Sequence, residues 1–161
     1  MRSREDYSGK RHFDDFTIVS MKFRIQLEIL QSANVRFKTS LFNIQQILQA
    51  DLFDSELDAA RELLKNGFLR GSGAIAGVVL EKHLGQVSAN HQITTRRKNP
   101  SISDWNDLLK NAGVIDEPTW RFIQRLSDLR NMCDHSKDRD PTKDEVQELI
   151  DGSEKTVKTL F

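Results

Sequence analysis

The chain has one cysteine, Cys133, so no intrachain disulfide can form and a stapled secreted scaffold is excluded. It has three prolines, Pro100, Pro118 and Pro141, which leaves the whole stretch ahead of the first free to form long uninterrupted helices. It has no excess of charge: 24 Lys and Arg face 24 Asp and Glu. Whole-chain attraction to a polyanion is thereby removed, and any nucleic-acid contact has to come from a local patch. No apolar run approaches the roughly 20 residues of a membrane span, and the opening MRSREDYSGKRHFDDF lacks the apolar stretch of a signal peptide. A soluble, cytoplasmic protein without a membrane partner is expected. His12, His83, His91 and His135 contain no pair at three- or four-residue spacing and no second cysteine exists to help them, so neither a metal nor another cofactor is expected. No G-x-S-x-G pattern supports a serine hydrolase.

What is present suits one helical domain of 161 residues with a thin core, since 37% of the residues are apolar and 30% charged. Residues 1–12 carry six charges and one large apolar side chain, Tyr7. That is too little burial to offset the entropy of ordering them, so they are read as a mobile arm before a single domain over 13–161. Phe23, Leu27, Leu30, Asn34, Phe37, Leu41, Ile44 and Leu48 recur at alternating spacings of four and three. This pattern lays one side of a long N-terminal helix against a partner, with Asn34 the one polar member. The segment MKFRIQLEI within it also alternates as a half-buried strand does. Helix is favoured, because nothing else in the chain resembles a strand that could pair with it.

Asp54 or Ser55 is expected to cap a second helix to about Gly67, with Leu57, Ala60, Leu64 and Phe68 inward. A third is expected from about Arg70 to Ala89. There GSGAIAG sets Gly73, Gly77 and Glu81 four residues apart, a bare face that another helix backbone can approach. The spacing is not G-x-G-x-x-G and no P-loop lysine follows, so helix packing is favoured over a phosphate cradle. Glu81 is read as core-edge structure, and His83 and His91 as polar residues at the edge of this helix. Ser101 or Ser103 caps a short helix ended by Gly113. Asp116 with Pro118 opens the next, to about His135, and Asp140 with Pro141 opens the last. The fold class is therefore all-α, an up-and-down helical bundle.

Arg96, Arg97 and Lys98 form a basic run in the polar loop 90–100, either solvated or set to contact phosphate. Cys133 falls with Phe122, Leu126 and Leu129 on the apolar side of its helix, as a buried small hydrophobe. Where that helix ends, an arginine, four residues and a histidine stand in series, Arg130 to His135. Helical projection puts Asn131 and His135 opposite the apolar stripe and Arg130 on its flank. Asn131 can orient the imidazole and Asp134 can pair with Arg130, both at four-residue spacing. A surface histidine with an ordinary salt bridge nearby is the plainer reading of the same residues.

The run LSDLRNMCDH, its place before a Pro-started terminal helix, and the upstream GSGAIAGVVLEKHLGQV resemble the HEPN superfamily (higher eukaryotes and prokaryotes nucleotide-binding). Its signature is Arg, then a polar residue, often Asn, His or Asp, and a His four to six residues after the Arg. The resemblance spans roughly residues 55–160. It implies a helical bundle that dimerises with two motifs face to face and, in many members, a metal-independent endoribonuclease of toxin or antiviral-defence type, often beside a nucleotidyltransferase antitoxin. Some members are noncatalytic binding modules, which is the alternative. On the ribonuclease reading RNA is the partner of a two-fold homodimer, with Arg130, His135 and Asn131 as catalytic residues. Arg121, Arg125, Lys137 and Arg139 flank the motif and either hold the RNA backbone or pair with Asp128, Asp134 and Asp138. Arg96 and Arg97 extend the same candidate surface.

Overall fold

A computed structural model describes residues 4–5, 11–12, 15–135 and 139–161. Lys137, one of the expected RNA contacts, lies outside the described residues. The chain is all-α, with helices α1 (Asp15–Lys65), α2 (Leu69–Asn90), α3 (Ile102–Asn111), α4 (Glu117–Asp134) and α5 (Lys143–Thr159). Inside the segment expected as an arm, β1 (Arg4–Glu5) pairs antiparallel with β2 (Arg11–His12), a ladder of two residues each that forms no layer of the fold. Close contacts divide the chain into two units, Met1–Leu48 and Gln49–Phe161. None of the described helices is long and apolar enough to cross a membrane.

In the first unit, residues 15–48 are helical, including the stretch 21–29 that also matched a strand pattern. A lone strand would leave its backbone groups without a ladder, whereas a helix satisfies them within itself. In this unit the apolar stripe from Phe23 to Leu48 stays open to solvent.

The expected helix start at Asp54 or Ser55 does not exist, because α1 passes through both. Neither glycine nor proline interrupts residues 15–65, and Phe53, Leu57, Ala60 and Leu64 continue a helical spacing into the second unit's core. The helix ends where expected, its last residue Lys65 standing just before Gly67. That glycine takes φ +84°, and the Phe68 N–H reaches back to the Leu63 carbonyl at 2.9 Å, closing the last turn. Phe68, expected to face inward, lies beyond this stop and is exposed.

The second unit is a helical bundle with α2 at its centre, against α3, α4 and α5. The end of α1 joins it through the Ser72 hydroxyl, which donates to the Ala60 carbonyl at 2.6 Å. Leu80 and Leu84 of α2, Ile123 and Leu126 of α4, and Leu149 and Ile150 of α5 fill the interior. Ser101 caps α3 reciprocally with Asp104, and Asp116 caps α4. For α5 the cap is Thr142 rather than Asp140 with Pro141: its side chain accepts from the Glu145 N–H at 3.3 Å while the Glu145 carboxylate accepts from the Thr142 N–H at 2.8 Å. A hydroxyl and a glutamate three residues apart satisfy two end donors at once, which Asp140 two positions upstream cannot do.

Candidate functional site

The motif region is built where α4 crosses α2. A Cβ at Gly73 would overlap Cys133 Sγ, and one at Gly77 would overlap Arg130 Cγ. The bare face of α2 thus receives α4, as the four-residue glycine spacing led one to expect. Cys133 is buried there, and burial followed by the charge of Asp134 pushes its thiol up to about 11. It is a packing group and no nucleophile near neutral pH.

Arg130 lies across this junction with its side chain 24% exposed. Its Nε pairs with Asp134 Oδ2 at 3.0 Å and its Nη2 with Glu81 Oε2 at 3.6 Å, while Nη1 donates to Asn131 Oδ1 at 3.4 Å. The guanidinium is therefore held from both helices. Glu81 is more than an edge residue: it shares the face of Gly73 and Gly77, so the helix that admits the arginine stem also supplies a carboxylate to its head.

His135 closes α4 as its C-cap, with φ −119° and ψ 120°, and its N–H donates to the Asn131 carbonyl at 3.0 Å. Its side chain is exposed and makes no hydrogen bond among the described residues. The expected contact from the Asn131 side chain to the imidazole is absent. That amide instead accepts from Arg130, because leaving the helix at His135 turns the ring out of the i, i+4 alignment.

Arg70 has a part that its position in the sequence did not signal. Its Nη1 donates to the Cys133 carbonyl at 3.0 Å, and its Nε and Nη2 donate to Asp140 Oδ1 at 3.0 and 2.7 Å. It ties the end of α4 to the approach to α5, on either side of His135.

Among the described residues, Arg121, Arg125 and Arg139 do not pair with Asp128 or Asp134 as expected, and Asp138 lies outside the described residues. Arg121 pairs with Glu117 at 3.1 Å, Arg125 grips Glu148 with two 3.1 Å bonds, and Arg139 holds Glu145. Arg121 thus stays with its own helix four residues back, Arg125 reaches across to α5, and Arg139 joins the α5 cap. Arg139 and the Thr142 N–H together draw the Glu145 carboxyl down to about 2. Arg97 pairs with Asp104 at 2.6 Å, whereas Arg96 and Lys98 are exposed and have no ion-pair partner among the described residues.

His83 is also displaced from its expected edge position. It is buried on the inner side of α2, its ring edge-on to Phe53, and its Nε2 lies 2.9 Å from the Leu160 carbonyl. Burial lowers its pKa, which keeps the ring neutral so that it donates to that carbonyl. His91 reaches the Phe161 carbonyl at 3.1 Å, so both histidines secure the end of α5. No family model, no curated protein and no solved structure matches the chain.

Proposed function

We propose that the protein is a metal-independent endoribonuclease of toxin or antiviral-defence type, acting in the cytoplasm on RNA at a composite site formed by two copies of the chain. The observation that carries this reading is the contrast between two residues of one motif. Arg130 is held between α2 and α4, while His135 stands at the helix end with an exposed ring that has no hydrogen-bond partner among the described residues.

The chemistry asks for that pair. The 2′-hydroxyl oxygen attacks phosphorus as a histidine takes its proton, and the bond from phosphorus to the 5′-oxygen breaks as a second proton is delivered to that leaving oxygen. The products are a 2′,3′-cyclic phosphate and a 5′-hydroxyl. A two-fold pairing of motifs supplies two His135 side chains, one for each proton. Arg130 stabilises the charge that grows on the phosphate oxygens, and Asn131 sets the guanidinium's orientation. DNA lacks the nucleophile and is spared. The family resemblance adds a nucleotidyltransferase-type antitoxin as a partner.

A noncatalytic HEPN-like module that binds a nucleotide or a protein partner is the second reading. One observation favours it: Arg130 is already paired with Glu81 and Asp134, and a phosphate has to compete with both. Incubating the purified chain with total RNA in EDTA separates the two. Fragments ending in cyclic phosphate support the ribonuclease, and intact RNA leaves the binding module.

A further inference from the structure

Sixteen large apolar side chains between Phe16 and Leu48 are exposed, far more than the second unit leaves open. A surface of that size on a charged, water-facing helix marks an interaction face. Its pattern says which kind. Phe23, Leu27, Leu30, Phe37, Leu41, Ile44 and Leu48, each 42 to 66% exposed, keep the four-three alternation without a break, and Asn34 fills the one remaining place in the series. A strict 3.5-residue period drifts around a straight helix and stays in contact only with a partner that supercoils around it.

We propose that this stripe pairs with the same stripe of a second copy as a parallel, in-register, two-stranded coiled coil, Asn34 opposite the partner's Asn34. In heptad terms Leu27, Asn34, Leu41 and Leu48 occupy a, and Phe23, Leu30, Phe37 and Ile44 occupy d. Asn34 identifies the occupant. Its side chain has no hydrogen-bond partner among the described residues, and an apolar groove of a different protein would bury that amide unpaired. Opposite itself, the amide both donates and accepts. An antiparallel pairing centred on the stripe would set it against Phe37 instead, leaving the amide unsatisfied. A lone asparagine at a also limits such helices to two strands. Burying the stripe removes about 500 Å² per copy, or about 1,000 Å² in all, which reaches the lower bound for a specific interface. Lys22, Arg24, Glu28, Arg36 and Lys38 lie off the stripe, so no charge is buried. This pairing does not rest on the ribonuclease reading, since it uses none of its residues.

Sedimentation equilibrium of the full chain tests it. The expected mass is twice 18.5 kDa. A monomer throughout the micromolar range, or an assembly of three or more chains, overturns the proposal. Leu30→Asp should weaken association by about a thousandfold or more while circular dichroism shows α2 to α5 still folded. Asn34→Leu should bind at least about tenfold tighter and admit larger assemblies, and unchanged affinity and stoichiometry would overturn the asparagine pairing. Direction is read separately: Leu30→Cys should cross-link to itself under mild oxidation, with the native chain as control for Cys133. Cross-linking only when Leu30→Cys is mixed with Leu41→Cys overturns the parallel arrangement. His135→Ala should leave the mass at two chains, so loss of RNA cleavage and loss of pairing are distinguishable.

Discussion

The aliphatic stem of Arg130 occupies the space that a side chain on Gly77 would need. Close approach of α4 to α2 therefore depends on the missing Cβ, and the arginine head reaches Glu81 only because its stem can cross that gap. Gly77→Ala should push α4 outward at a cost of about 1–3 kcal/mol, read as a lower melting temperature. On the proposed mechanism, cleavage should fall further than the loss of folded protein accounts for, because the guanidinium is displaced.

His135→Ala and Arg130→Ala should each lower RNA cleavage by ~10²- to 10⁴-fold. The histidine variant should melt like the native chain, since its ring is exposed and has no hydrogen-bond partner among the described residues. The arginine variant should lose some stability by leaving Glu81 and Asp134 unpaired. Asn131→Ala should do less harm than either. Alanine variants that cut RNA as fast as the native protein would remove the catalytic assignment.

Arg70→Ala should loosen the link between the end of α4 and Asp140. It contacts no proposed reacting atom, so it is a positioning residue. Cleavage should fall with the optimum of the pH profile unmoved, and Arg70→Lys, which keeps the charge but not the fork, should recover only part of it. Full activity in both variants would dismiss the role.

His83 makes stability depend on pH in a defined direction. Its pKa is lowered from an ordinary value of 6.5 by burial, so the folded chain binds fewer protons than the unfolded one between that lowered value and 6.5. Stability from the neutral ring is fully present above 6.5 and is lost as pH falls through that window. Denaturant melts from pH 7.5 to 5 should show the decline, and His83→Gln should flatten it. An unchanged slope in the variant would assign the dependence elsewhere.

RNA affinity should fall steeply with salt. Of the described cations near the motif or in the basic loop, Arg96 and Lys98 have no ion-pair partner among the described residues and can meet phosphate, while Arg125 and Arg139 are held by Glu148 and Glu145. Arg96→Glu should weaken binding and flatten the salt dependence. Arg125→Ala should chiefly lower the melting temperature. The reverse ranking, measured by titration at several salt concentrations, would move the RNA path onto α4.

Local signals were legible without coordinates wherever one residue type has one physical use. Ser101 and Asp116 start α3 and α4, Gly113 follows the end of α3, and the glycine spacing of α2 announced a close helix. At Asp54 and Ser55, by contrast, residues suited to capping sit inside α1. Capping propensity is weak beside a run of apolar residues that continues into a core, so the tertiary contacts of Phe53 and Leu57 decide. Asp140 likewise yields the cap of α5 to Thr142, which with Glu145 satisfies two donors together.

The sequence by itself determined the all-α class, the series Arg130 to His135 at a helix end, and the heptad stripe around Asn34. These are statements about period and residue type, and period is a property of the chain alone. Only the tertiary structure decided which distant group each polar side chain meets. Glu81 with Arg130, Glu148 with Arg125, Asp140 with Arg70 and the Leu160 carbonyl with His83 each join residues more than 20 positions apart. Packing the α2 glycine face against α4 brings Glu81 to Arg130, and no helical periodicity encodes which distant residue an arginine will find once its own helix has docked.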